Sequence, residues 1–189
     1  MAHSSRIAHA LSLACELHGE QKRKASEIPY VTHLWAVAAL VGEYGGNEAQ
    51  IIAALLHDAV EDQGGEAVLT RIRDTFGDTV AGYVDACTDA YVIPKPPWRP
   101  RKEAYLTALR DKPAEVKLIA AADRIHNLRS MTRDYRCIGE VLWDRFKGGR
   151  DGTLWFYDAT LEALSDGWDH PVLDEYREAL GNLRLMIDD

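Results

Sequence analysis

The segment Leu55-Leu56-His57-Asp58-Ala59-Val60-Glu61-Asp62 gathers titratable groups directly behind apolar ones. His57 and Glu61 are four residues apart, as are Asp58 and Asp62, and Asp58 and Glu61 are three apart. On a helix these spacings put side chains on one side of the cylinder. Three carboxylates and an imidazole so crowded repel one another unless a cation or basic substrate groups neutralise them. For an isolated acidic triplet, a solvated helix end is the plainer reading. Here the preceding Ala53-Ala54-Leu55-Leu56 should be core, so His57-Asp58 stands at the edge of the interior, where ligands sit.

Further ligands must come from elsewhere, and His33 and Asp123 are the candidates. His33 falls one turn into the helix expected after Pro29-Tyr30. Asp123 follows the small-residue run Ala120-Ala121-Ala122, and Asn127 shares its face. Taken alone, His33 reads as a hydrogen-bonded core histidine and Asp123 as a surface charge. Together with His57 and Asp58 they make a mixed nitrogen and oxygen donor set suited to Mn²⁺, Fe²⁺ or Zn²⁺, and residue type does not choose among these. The lack of cysteine donors argues against a structural zinc site. Such a metal polarises a phosphoryl oxygen and acidifies a bound water, and Glu61 or Asp62 can take the proton. Phosphoryl chemistry also needs flanking cations. Lys22-Arg23-Lys24, Arg99, Arg101 and Lys102 are available, although composition alone makes each a solvated surface charge.

The elements that must position these residues are helical by period. Ile7, Leu11, Ala14 and Leu17 form one stripe, with Ser4 or Ser5 as N-cap. A second helix starts after Pro29, carries Leu34, Val37, Ala38 and Val41, and stops at Gly45-Gly46. Asn47 caps a third, running through Leu56 to before Gly64-Gly65. Helices are expected over Glu66–Phe76 and Asp78–Ala90. The prolines at 94, 96, 97 and 100 predict a loop around Trp98, with helix resuming over Arg101–Leu109. Pro113 opens a helix to Met131. Ile138–Phe146, Thr153–Leu164 and Pro171–Ile187 complete the chain. No alternating apolar run predicts a strand. The class is all-α, in a single domain over residues 1–189, with the motifs in about 5–135 and a helical extension over about 136–189.

The chain has 189 residues and a formal net charge of -8, which disfavours a general nucleic-acid binder but leaves room for a basic pocket. Cys15, Cys87 and Cys137 are odd in number and widely spaced, which argues against a disulfide framework and fits a reducing compartment best. Met1 to Arg6 holds no apolar run that could serve as a signal peptide, and no stretch reaches the ~20 apolar residues of a membrane span. A cytoplasmic protein without membrane or nucleic-acid partners is expected; oligomeric state is not encoded legibly.

The order His18, Gln21, Arg23-Lys24, Pro29-Tyr30, His33, then Leu56-His57-Asp58 with Glu61-Asp62, then Asp123-Arg124 with His126-Asn127-Leu128 resembles the hydrolase domain of RelA/SpoT-type enzymes, above all the small stand-alone alarmone hydrolases. The resemblance covers about two-thirds of the chain. It implies a compact multi-helix HD-domain bundle with one Mn²⁺, other divalent metals being possible, held by His33, His57, Asp58 and Asp123. It implies Glu61 and Asp62 as the catalytic pair. It places nucleotide contacts at Arg23, Lys24 and Asn127, and a basic pair near the phosphates at Arg101 and Lys102. The implied reaction is hydrolysis of the 3′-pyrophosphate of (p)ppGpp or (p)ppApp. Residues 1–189 leave no room for the synthetase domain of long members, so hydrolysis without synthesis is expected. A related HD nucleotide phosphatase and an inactive nucleotide-binding module are the alternatives; the Arg23-Lys24 and Glu61-Asp62 combination favours the alarmone hydrolase. Three departures stand out: four residues, Ala25 to Ile28, separate Lys24 from Pro29 where the common pattern has three, Gln63 replaces a frequent threonine, and Ala120 replaces a lysine of the long members.

Overall fold

The computed structural model describes residues 3–24, 26–91 and 94–188, with side chains from Ser5 onward. It divides into two compact units, Met1–Pro96 and Pro97–Asp189.

The first unit holds α1 (His3–His18), α2 (Val31–Glu43), α3 (Glu48–Leu56), α4 (Ala59–Gln63), α5 (Gly65–Phe76) and α6 (Asp78–Cys87). At its centre is α3, packed against α1, α2 and α6. The cause is plain in its sequence: Ile52, Ala53, Ala54, Leu55 and Leu56 are all buried, and the three small or branched faces let helices approach from several sides. Its start is fixed by a reciprocal cap. Gln50 N donates to Asn47 Oδ1 at 3.1 Å, and Asn47 N donates to Gln50 Oε1 at 2.9 Å.

Several boundaries differ from expectation. The first helix already contains Ser4 and Ser5, so neither caps it. The single helix expected from Asn47 to Gly64 is interrupted: α3 ends at Leu56, His57 and Asp58 form the junction, and α4 begins at Ala59. Both junction residues keep right-handed helical backbone angles, which is why the helical spacing argument for this stretch survives the break. α6 stops at Cys87 rather than Ala90.

The second unit holds α7 (Trp98–Arg110), α8 (Ala114–Ile138), a 3-10 turn (Gly139–Arg145), α9 (Gly149–Ser165) and α10 (Val172–Asp188). α7 starts three residues before Arg101 and includes Pro100, because a first-turn residue needs no backbone N–H donor. α8 runs past Met131 to Ile138, since nothing breaks it before Gly139, whose φ of 58° lies in the left-handed region. The long α8 packs on α9, α10 and the 3-10 turn, while α7 packs on α9. The aromatic tail residues Trp143, Phe156 and Tyr157 are buried here. Among the described residues there is no strand, only an isolated antiparallel bridge between Lys22 and Pro29, and no helix is long and apolar enough to cross a membrane. The fold is all-α.

Candidate active site

The end of α3 aims the first candidate ligand. His57 Nδ1 lies 2.7 Å from Ala54 O, a carbonyl that only accepts, so the proton sits on Nδ1. Nε2 then faces Asp58 Oδ2 at 3.1 Å. From the first turn of α2, His33 Nε2 lies 3.8 Å from the same oxygen. Both imidazoles are buried, with ring centroids 5.4 Å apart. One ligand atom from each of His33, His57 and Asp58 falls within 4.8 Å of the others. Two imidazole nitrogens and a carboxylate oxygen converging in this way suit a divalent ion. Tyr30 Oη donates to the same Asp58 oxygen, Oδ2, at 2.5 Å and helps fix the carboxylate.

Glu61 and Asp62 follow on α4. Lys95 bridges them: its Nζ donates to Glu61 Oε1 at 2.6 Å and to Asp62 Oδ1 at 3.1 Å. Burial pushes the Glu61 carboxyl above its usual 4.5; Asp89 and Asp58 add to that, and the Lys95 hydrogen bond opposes it. Burial alone would lower the Lys95 ammonium, but its bonds to Glu61 and Asp62 leave it raised, so it stays charged. Asp62 Oδ2 accepts from Gln21 Nε2 at 3.0 Å. Behind Gln21 stands His18, buried and held below its usual pKa by that burial.

Arg23 and Lys24 lie on the loop closed by the Lys22–Pro29 bridge. Arg23 N donates to Ile28 O at 2.9 Å, and Tyr30 N to Gln21 O at 2.9 Å. Arg23 is half-buried and Lys24 exposed; Ala25 lies outside the described residues.

The second unit carries the remaining candidates. Asp123 is buried on α8, where it accepts from Arg124 Nη1, and its Oδ1 accepts from Asn127 Nδ2 at 2.6 Å. The shared face of Asp123 and Asn127 is therefore a direct bond. Arg124 lies over the Phe156 ring at 5.0 Å, and Asp123 holds it protonated against its burial. Arg101 and Lys102 sit in the first turns of α7, with Lys102 Nζ 4.8 Å from the Phe156 ring centre.

Thus His33, His57 and Asp58 come together with Glu61 and Asp62 in the first unit, and Asp123 with Asn127 in the second. Sequence reasoning missed Lys95. The available signal was a lone cation between Pro94 and Pro96, whose rings stiffen the backbone that carries it. It also left Gln21, Gln63 and Tyr30 without individual roles, since amides and phenols show no spacing rule of their own.

The profile of the HD domain family matches residues 10–153. A guanosine-3′,5′-bis(diphosphate) 3′-pyrophosphohydrolase MESH1 of Xenopus tropicalis is 35% identical over 130 residues, covering 67% of this chain and 70% of that protein. A probable GTP pyrophosphokinase of Mycobacterium leprae is 36% identical over 132 residues, 69% of this chain, and the match spans only 16% of that longer protein. Among solved structures, a metazoan ortholog of SpoT, described as hydrolysing ppGpp with a role in starvation responses, superposes with a TM-score of 0.76 at 25% identity, covering 92% of this chain and 93% of that one.

Proposed function

This chain belongs to the HD domain family, and from that premise we propose that it is a metal-dependent 3′-pyrophosphohydrolase of alarmone nucleotides. It acts on (p)ppGpp, (p)ppApp or both, adding water to release pyrophosphate and leave the nucleoside 5′-phosphate. The observation that carries this reading is the convergence of His33, His57 and Asp58 beside the Lys95-bridged pair Glu61 and Asp62. The match to a stand-alone relative of that activity supports it.

Mn²⁺ would be held by His33, His57 and Asp58, with Asp123 the fourth ligand that the family resemblance implies, and would supply charge neutralisation at the phosphoryl oxygens and a more acidic water. Glu61, whose carboxyl is raised above its usual range by burial, accepts the proton of the attacking water. Asp62 orients the water. Lys95 keeps the two carboxylates from repelling each other. Arg23, Lys24 and Asn127 bind the nucleotide, and Arg101 and Lys102 bind its phosphates. Both compact units belong to the one hydrolase domain, as the family match across Pro96-Pro97 supports. Cys15, Cys87 and Cys137 form no disulfide among the described residues, which supports a cytoplasmic setting.

The test is release of pyrophosphate from ppGpp and ppApp by the purified protein, with Mn²⁺ and with a chelator. Metal-dependent release is expected, and the ratio sets base preference. Metal-loaded protein that releases none, yet frees orthophosphate from a nucleotide panel, would identify a different HD phosphatase.

A further inference from the structure

We propose that Gln21 is a positioning residue for this reaction, holding Asp62 in its working orientation through a relay of polar groups anchored by His18 and Gln63. The inference rests on the hydrolytic reading above. A carboxylate rotates broadly about its last torsion, so its oxygens are fixed only by what binds them. Asp62 has a donor on each: Lys95 Nζ on Oδ1 at 3.1 Å and Gln21 Nε2 on Oδ2 at 3.0 Å.

Gln21 can serve this purpose because its own amide has one permitted orientation. Its Oε1 accepts from Gln63 Nε2 at 2.5 Å and lies 2.7 Å from His18 Nδ1. Reversing the amide would set oxygen against the Asp62 carboxylate and NH₂ against the Gln63 donor, so both ends would clash. The anchor is rigid. His18 is 1% exposed, stacks on Tyr30 with ring centroids 5.4 Å apart, and lies 3.3 Å through Nδ1 from Gln63 Nε2. The backbone of Gln21 is pinned as well, its N donating to His18 O at 3.0 Å and its O accepting from Tyr30 N at 2.9 Å. Gln63 is the last residue of α4, so the relay ties the end of α1 to the helix that carries the acidic pair.

The experiment compares wild type, Gln21→Leu, Gln63→Glu and the double variant as Mn²⁺-loaded proteins, reading kcat and KM for pyrophosphate release from ppGpp and ppApp, bound Mn²⁺ and the thermal midpoint. Gln63→Glu keeps shape but sets an acceptor against Gln21 Oε1, so Gln21 cannot satisfy both neighbours. A space-filling role predicts no change for this isostere. The positioning role predicts kcat lower by about tenfold or more in each single variant, since small misplacements of reacting groups are costly, with Mn²⁺ and KM retained. It predicts a double variant no worse than Gln21→Leu, because both changes break one relay. If Gln21→Leu does not fold, Gln63→Glu carries the test alone. Wild-type turnover with unchanged kcat in the folded variants would overturn the positioning role alone. Wild-type protein inert toward both ppGpp and ppApp would overturn the hydrolytic reading and this role together.

Discussion

Lys95 reaches Glu61 and Asp62 with one ammonium, and this sets how the acidic pair responds to pH. Burial raises the Glu61 carboxyl above 4.5 and the Lys95 bond pulls it back. Removing that cation in Lys95→Met therefore raises Glu61 further. The protonated, inactive fraction then persists to higher pH, so the acid limb of the kcat profile should move upward; an unmoved or lowered limb would dissociate Lys95 from the pair. The ligands and the pair should also separate by mutation. Asp58→Ala should lose Mn²⁺, because the remaining donors cannot hold a hydrated ion tightly. Glu61→Ala should keep the metal and lose turnover by roughly 10²-fold or more. Elemental analysis beside kinetics reads both, and Mn²⁺ retained by Asp58→Ala would sink the ligand assignment. At this scale the types and spacing of His57, Asp58, Glu61 and Asp62 were legible because charge crowding next to apolar residues is unusual. Lys95 was not, because nothing local says where a proline-flanked cation points.

Helix periods were legible for the same reason that helices exist here: each buries a stripe of apolar residues. What periodicity cannot see is a ladder that stops while the backbone stays helical, as at His57-Asp58, or a helix that absorbs a proline in its first turn, as α7 does with Pro100. The α7–α9 contact shows a further constraint hidden from sequence. Trp98 packs so closely over α9 that a Cβ at Gly148 would lie 2.8 Å from its ring. The ring is rigid, so Gly148→Ala should destabilise by about 1–3 kcal/mol through overpacking. A thermal midpoint equal to wild type would mean that the ring or the helix start yields instead.

Across the whole molecule, the class was legible because helical signal filled the chain and no alternating segment competed with it. The division at Pro96-Pro97 was not, since the prolines there read equally well as a loop within one domain. The proposal that both units share one hydrolase domain predicts a single calorimetric transition, raised by Mn²⁺ because the ion binds only the folded chain. Two resolved transitions, with only one responding to Mn²⁺, would instead assign the metal to one unit.

The interruption at His57-Asp58 also separates two sets of side chains. His57 closes one helix, whereas Glu61 and Asp62 ride on a separate helix of five residues. Under the proposed reading, changes confined to that short segment would end turnover and leave His33, His57 and Asp58 in place. Two substitutions would then turn a hydrolase into a receptor for its former substrate.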